Sequence, residues 1–143
     1  MKLPDVNLFL YAYDSDSPFY PAARRWLEET LSGTETVALA WMVLVGFVRL
    51  STRPAVFASP LRAEAAIGFV EQWLAQPCTS VIHPGRRHPA MLRELLRPLG
   101  TAGNLTNDAH LAALAIEHGA TLCSRDVDFS RFAGLRWIDP LRD

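Results

Sequence analysis

Four aspartates lie where a short apolar run of the chain gives way to a polar or helical one: Asp5, Asp108, Asp126 and Asp128. In a chain that alternates strands with helices, the carboxyl ends of the parallel strands meet at one edge of the sheet. We therefore expect these acids to share one pocket, where like charges repel unless a cation holds them. Hard divalent cations such as Mg²⁺ bind carboxylates together with water and substrate phosphate. The pattern predicts a divalent-metal enzyme.

Each acid also has a structural interpretation, which is the simpler one for any single residue. Asp5 is placed to cap the helix that follows it, a role that stabilises a helix by roughly 1 kcal/mol. At the later helix, Thr106 or Asn107 suffices as the cap, which leaves Asp108 in the first turn, where the helix dipole favours a carboxylate. The last two acids fit a polar turn. Only the four acids taken together favour a metal site.

Short apolar or β-branched runs alternate with helical patterns along the chain. This alternation predicts an α/β fold, with a parallel sheet covered on both faces by helices. The predicted strands are 2–5, 36–40, 80–83, 120–123 and 135–138, and the predicted helices are 7–13, 21–31, 41–51, 60–75, 89–99 and 106–118. The helix over 41–51 is nearly all apolar, which predicts that it is buried. Gly119 is suited to end the last helix in a left-handed conformation.

The bulk composition limits the classes of function. The chain has 143 residues, half of them apolar, and a net charge of −1. This suits one domain over 1–143 and gives no broad electrostatic attraction to nucleic acid. The basic residues are one lysine and thirteen arginines, some adjacent, such as Arg24 and Arg25. Arginine binds phosphate through a planar fork, so a local phosphate-binding surface stays open beside the alternative of solvated helix faces.

Other features predict a soluble protein of the cytoplasm, with no membrane partner. The longest apolar run, over 37–48, has twelve residues and is too short to cross a bilayer. The first residues lack the apolar stretch of a signal peptide. Cys78 and Cys123 form neither a CxxC motif nor a metal-ligand cluster, which fits a reducing compartment.

Three segments carry a resemblance to a known family: LPDVNLFLYA, WMVLVGFVRLST and GNLTNDAHLAALAIEHGATLCSRDVDFSRFAGLRW. In order and spacing they resemble the PIN-domain ribonucleases, and more narrowly the VapC toxins of bacterial toxin–antitoxin modules. The resemblance implies a three-layer α/β/α fold with a central parallel sheet of four or five strands. It also implies endonucleolytic cleavage of RNA with Mg²⁺ or Mn²⁺, a homodimer, and a small VapB-like antitoxin as partner.

The resemblance also assigns roles to individual residues. Asp5, Asp108 and Asp126 match the family's metal-binding and catalytic acids, and Asp128 is a further carboxylate beside the last of them. Three polar residues match supporting positions of the family: Asn7, Ser124 and Arg49.

One position departs from the family pattern. The family usually has a glutamate where this chain has Gly46, which leaves the acid cluster one carboxylate short. Asp128 supplies the missing charge, or a single ion suffices, or catalysis is weak. The last case gives an alternative function, a PIN-like module that binds RNA or antitoxin without efficient cleavage. A phosphatase of the haloacid dehalogenase type is a third hypothesis, but it requires an acid where Asn7 stands.

Some aromatic and histidine side chains have two interpretations each. Trp26, Phe57 and Trp73 fit either the core or a surface for the antitoxin or a second copy, and the core is the simpler assignment. His110 and His118 are interpreted as surface or packing residues, and a phosphate contact is a further alternative for His110.

Overall fold

The computed structural model describes residues 1–142, which contain one five-stranded parallel sheet in the order β3-β2-β1-β4-β5. The strands are β1 (Lys2–Pro4), β2 (Val37–Leu39), β3 (Thr79–Val81), β4 (Thr121–Cys123) and β5 (Trp137–Ile138). In the middle of the sheet, Lys2 of β1 pairs with Val37 on one side and Thr121 on the other. The first and fourth strands are therefore neighbours, although more than a hundred residues separate them.

Six α-helices flank the sheet in this part of the chain: α1 (Val6–Tyr13), α2 (Tyr20–Ser32), α3 (Trp41–Ser51), α4 (Ala63–Leu74), α5 (His88–Leu96) and α6 (Thr106–His118). Short 3₁₀ turns occupy Arg97–Leu99, Gly103–Leu105 and Val127–Arg131. The predicted α/β fold with a central parallel sheet is confirmed. α3 and α6 begin and end at the residues predicted for them, and Gly119 ends α6 with a φ of 65°.

An aromatic cluster fixes α3 and α4 against α1. The ring of Trp73 lies 4.4 Å from that of Phe9 and 4.7 Å from that of Phe47, measured between centroids. Its indole N–H donates to the hydroxyl of Tyr13 at 3.0 Å. Such contacts contribute beyond the area that they bury. They hold the helix that carries Gly46 and Arg49 in a defined position.

The start of α4 and the cap of α6 differ from the predictions. α4 begins at Ala63 rather than at residue 60, because Arg62 has an extended backbone and the Leu61 amide donates to the carbonyl of Ser51 at 2.9 Å. Neither Thr106 nor Asn107 caps α6, because the 3₁₀ turn before it runs straight into the helix. Thr106 already has helical angles, and the residue at the cap position is Leu105.

α3 is less buried than its composition predicts. Trp41 is 49% exposed and Val45 is 59% exposed, since only the opposite side of the helix faces the core. With Ile67 and other residues of α4 they line an apolar groove of about 440 Å³. Within residues 1–142, no helix combines the length and the apolar character needed to span a lipid bilayer.

The aromatic side chains with two interpretations lie mainly in the core. Trp73 and Phe57 are 2% and 3% exposed, so the core interpretation is confirmed for both. Trp26 is partly buried and packs against the core. The exposed aromatic of this region is Trp41, which the sequence patterns did not single out.

Candidate active site

Asp5 and Ser124 come together because they follow neighbouring parallel strands. Pro4 pairs with Cys123 at the ends of β1 and β4, and the Asp5 amide donates to the Cys123 carbonyl at 2.8 Å. The side chain of Asp5 caps α1 by accepting from the amide of Val6 at 2.7 Å. Its capping role and its place at the sheet edge are therefore compatible, because one oxygen serves the helix and the other faces β4.

The hydroxyl of Ser124 connects the first strand to the fourth. It donates to Oδ2 of Asp5 at 2.7 Å and accepts from Nδ2 of Asn7 at 3.0 Å. It also accepts from the amide of Asp126 at 3.0 Å. The same Asn7 amide group lies 3.4 Å from Oδ2 of Asp5. Ser124 is fully buried, so its three bonds are made without competition from bulk water.

Three acids approach one another closely at this edge of the sheet. One carboxylate oxygen from each of Asp108, Asp126 and Asp128 lies within 4.8 Å of the others. Oδ1 of Asp126 accepts a hydrogen bond from the backbone amide of Asp128 at 2.9 Å. This bond closes the turn and brings the two carboxylates to the same side. Asp108 comes from the first turn of α6. Four of the sequence-predicted site residues, these three and Asp5, thus share one region.

The electrostatics of this acid cluster favour a bound cation. Burial, and then the charges of Asp126, Asp5 and Asp128, raise the pKa of Asp108 from 3.8 to about 6. Burial also raises the pKa of Asp5, against the lowering effect of its bonds to Ser124 and Val6, and Asp126 raises it further. Within residues 1–142, no salt bridge neutralises any of the four acids. Their mutual repulsion is relieved by a proton or by a metal ion.

Residues that the sequence patterns did not indicate hold the 124–128 turn in place. The guanidinium of Arg125 forms an ion pair with Asp139 at 3.1 Å and lies 4.2 Å from the ring centroid of Phe19. The indole N–H of Trp137 donates to the carbonyl of Ser124 at 3.0 Å. These contacts join distant segments, and no local pattern marks them. The only signal was that Arg125 lies between two predicted site residues.

A cavity of about 200 Å³ opens beside Asp5 and Asp108. Arg49 and Gly46 of α3 line its opposite side. Arg49, a predicted supporting residue, is exposed, and within residues 1–142 its guanidinium makes no ion pair. The cavity lies where the family glutamate is expected, and its full lining is Asp5, Val6, Met42, Val43, Gly46, Arg49, Leu50, Asn107 and Asp108.

A second polar cluster lies between α5 and α6. Nδ1 of His88 lies 2.5 Å from Oε1 of Glu117, and Nε2 of His88 lies 2.8 Å from Nδ1 of His110. The other oxygen of Glu117 accepts from the amide of Gly85 at 2.7 Å. His110 was interpreted as a surface or packing residue, and the structure shows it to be a packing residue. His88 and Glu117 carried no signal in the sequence because 29 residues separate them.

The fold is a parallel α/β sheet with carboxylates at its edge, which is typical of metal-dependent enzymes. Comparison with known proteins identifies the family within this class. Residues 2–135 match the PIN domain family. Ribonuclease VapC37 of Mycobacterium tuberculosis is 47% identical over 140 residues, which cover 98% of this chain and 97% of that protein. Ribonuclease VapC33 of the same species is 43% identical over 143 residues, the full length of both. The chain therefore belongs to the PIN domain family and, within it, to the VapC ribonucleases.

Solved structures agree with this fold. The structure of VapBC2 from Rickettsia felis bound to promoter DNA gives a TM-score of 0.69 at 22% identity and covers 96% of each chain. VapC20 of M. tuberculosis, described as a toxin that cleaves the sarcin–ricin loop, gives a TM-score of 0.66 at 18% identity, with 95% of this chain and 99% of that chain covered. At these identities the likeness shows the fold alone. The resemblance to PIN-domain VapC proteins is confirmed.

Proposed function

We propose that this protein is a divalent-metal-dependent endoribonuclease that acts as the toxin of a VapBC toxin–antitoxin module. The observation that carries the proposal is the cluster of four unneutralised acids at the sheet edge, in which the pKa of Asp108 is raised to about 6. Its relatives over the whole chain are ribonucleases by name. Repulsion between such acids destabilises the folded protein unless a bound ligand neutralises them, so a cluster of this kind indicates a functional site.

The donor set fits Mg²⁺ or Mn²⁺. The triplet of Asp108, Asp126 and Asp128 offers carboxylate oxygens alone, which hard divalent cations prefer, and no imidazole or thiolate that would select a softer metal. In the proposal these three hold the cation. Asp5 adjoins them and adds negative charge, with its carboxylate fixed by Ser124. Asn7 and Ser124 are positioning residues, since they contact Asp5 and the turn rather than substrate.

The reaction in this proposal is hydrolysis of a phosphodiester bond by water. When bound, the cation lowers the pKa of a coordinated water and screens the charge that builds on the phosphate. Asp5, which adjoins the cation site in this proposal and whose pKa is raised by burial, would accept the proton that the attacking water loses. Ser124 keeps the orientation of Asp5 constant through the reaction. No side-chain nucleophile is needed.

The alternative, a PIN-like module that binds without efficient cleavage, is not favoured. It was motivated by the missing glutamate at Gly46, but Asp128 places a carboxylate oxygen within 4.8 Å of the other two acids. The cluster therefore has three convergent ligands without a residue from α3.

A VapB-like antitoxin and a second copy of the chain are the partners in this proposal. The solved structures of VapBC2 and VapBC-1 contain a VapB and a VapC by name. The apolar groove between α3 and α4 supports the existence of a partner, because exposed apolar patches of this kind mark interaction surfaces. Co-expression with the product of an adjacent gene, followed by affinity purification and light scattering, tests both the complex and the dimer. A protein that elutes alone and as a monomer contradicts this part of the proposal.

Cleavage of a labelled RNA with Mn²⁺, with Mg²⁺ and with a chelator tests the activity. Asp108→Asn and Asp126→Asn each lower the rate by at least about a hundredfold, since even outer-shell partners of a metal site are worth about 10–100-fold. Asp16→Asn makes the same chemical change at an exposed aspartate outside the cluster and leaves the rate unchanged. Cleavage that persists in the chelator, or in Asp108→Asn, refutes the proposal.

A further inference from the structure

Gly46 lies in the middle of α3, where the helix does not require a glycine. Glycine destabilises a helix interior relative to alanine. Gly46 is not among the glycines with positive φ, so its backbone conformation is open to any residue. A Cβ built on it meets one neighbouring atom within 4 Å, Cγ2 of Val6 at 3.5 Å, which is ordinary van der Waals contact. Packing therefore does not exclude a side chain either.

The space next to Gly46 is the cavity that holds the two acids with raised pKa values. Gly46 lines this cavity of about 200 Å³ together with Asp5 and Asp108. Arg49 follows three residues later in α3, so both residues lie on the same face of the helix. A side chain at position 46 would occupy part of this cavity. The glycine keeps open a volume that adjoins the acid cluster.

We propose that this cavity is a nucleotide subsite of the RNA substrate, in which Gly46 leaves room for one sugar and base and Arg49 binds a phosphate. The inference rests on the proposed ribonuclease function. The cavity is smaller than the 300–1,000 Å³ or so typical of drug-sized ligands, which limits it to a single unit of a longer chain. Its apolar wall, from Met42, Val43 and Leu50, suits the face of a base or a sugar.

Arg49 supplies a phosphate contact for RNA in this cavity. The exposed guanidinium has no ion-pair partner within residues 1–142, and its planar fork matches a phosphate. In the proposal a phosphate of the RNA would pair with Arg49, and a bound cation would neutralise the acids.

A pair of matched glycines gives the experiment its control. Gly46 and Gly68 are each the sixth residue of a helix, in α3 and α4. A Cβ on Gly68 meets nothing within 4 Å, and Gly68 does not line the acid cavity. Gly46→Leu and Gly68→Leu add the same atoms to a helix interior, and Gly46→Ala and Gly68→Ala repeat the comparison with the smallest side chain. Thermal unfolding verifies that all four variants are folded.

RNA cleavage and RNA binding are then measured for each variant. Gly46→Leu raises KM about ten- to a hundredfold, the loss expected for one base contact, whereas Gly68→Leu keeps the parent KM. Affinity for Mn²⁺, measured by calorimetry without RNA, is unchanged in both. Binding of a labelled, non-hydrolysable RNA analogue with Mn²⁺ present, measured by fluorescence anisotropy, weakens in Gly46→Leu alone. Arg49→Met lowers the slope of log KM against log salt by about 0.7, the increment of one phosphate contact on a single strand.

Three results overturn the subsite. They are an unchanged KM in Gly46→Leu, a weakened Mn²⁺ affinity in that variant, and loss of antitoxin binding with RNA binding intact. If the parent protein shows no metal-dependent cleavage, the proposed function fails. The anisotropy comparison of Gly46→Leu with Gly68→Leu still decides the subsite in that case, so the two failures are distinguishable.

Discussion

Two clusters of ionisable side chains lie on α6, and they differ in the balance of their charges. Around Glu117, each carboxylate oxygen receives a hydrogen bond, one from His88 and one from the Gly85 amide. Around Asp108, the neighbouring groups are other carboxylates. In the Glu117 cluster every carboxylate oxygen has a hydrogen-bond donor, whereas in the Asp108 cluster negatively charged groups lie next to one another. We infer that the first stabilises the fold, whereas the second depends on a ligand for its balance.

The pKa directions express the same contrast. Burial acts to raise the pKa of Glu117, but the Gly85 amide and His88 outweigh it, so the pKa is lowered. For Asp108, burial and the neighbouring acids act together, and the pKa is raised to about 6. The sign of each carboxylate's pKa shift thus reflects the groups around it.

The largest expected effect on stability comes from breaking the balanced cluster. Glu117→Ala leaves the buried His88 without its acceptor, at a cost of about 1–3 kcal/mol, whereas water can replace the acceptor of the exposed Gly85 amide. Urea denaturation measures the loss. Glu29→Ala, at an exposed position of α2, stays within about 0.5 kcal/mol of the parent. A Glu117→Ala protein as stable as the parent would show that the cluster does not stabilise the fold.

A divalent cation should stabilise the protein through the acid cluster alone. A ligand present at a hundred times its Kd adds about 2.7 kcal/mol to the free energy of unfolding. We expect Mn²⁺ to do so for the parent and for Glu117→Gln, and to have no such effect on Asp108→Asn. Thermal unfolding with and without Mn²⁺ measures the difference. An equal shift in Asp108→Asn would place the ion elsewhere.

The smallest effect is the pH dependence of the metal-free protein, in which the two clusters have opposite signs. Because the folded pKa of Asp108 is about 6 against 3.8, the folded state holds an extra proton between these values. The contribution of Asp108 to stability is present below about pH 4 and is lost as the pH rises past 6. We expect no more than about 1 kcal/mol, since Asp108 is half-exposed and solvent screens it.

Glu117 gives the matching measurement with the reverse sign. Its lowered pKa means that its contribution is present above 4.5 and is lost as the pH falls through the folded pKa. From pH 4 to pH 7, the parent should lose stability relative to Asp108→Asn and gain it relative to Glu117→Gln. Unfolding free energies at several pH values in chelator measure both differences. Two slopes of the same sign would contradict the contrast between the clusters.

Much of the fold was predictable because its signals are local. The bounds of α3 and α6, the left-handed Gly119 and the alternation of strands with helices depend on hydrophobic periodicity and on residues that end helices. The cap of α6 and the start of α4 were wrong for other reasons. At α6 a 3₁₀ turn runs into the helix, and at α4 a tertiary hydrogen bond to Ser51 keeps Leu61 outside the helix.

The candidate site was predictable as a set of residue types, but its geometry was not. The order and spacing of the motifs indicated Asp5, Asp108, Asp126 and Ser124, and these residues adjoin in the structure. The roles of Arg125, Asp139 and Trp137 in holding the turn were not predicted, because each contact joins segments with no shared pattern. The exposed side of α3 was also missed, since composition does not reveal which side of a helix remains uncovered.

The sequence by itself determined which elements form, because helix and strand periods are properties of neighbouring residues. It also determined that Asp5 and Asp126 follow strands, whereas Asp108 lies in the first turn of α6 with no strand directly before it. Only the tertiary structure decided that the Ser124 hydroxyl bonds to Asp5 across 119 residues, that Glu117 is balanced by His88, and that Asp108 is surrounded by like charges. Charge balance depends on distances between remote groups and on their burial. Those quantities exist only once the chain has folded.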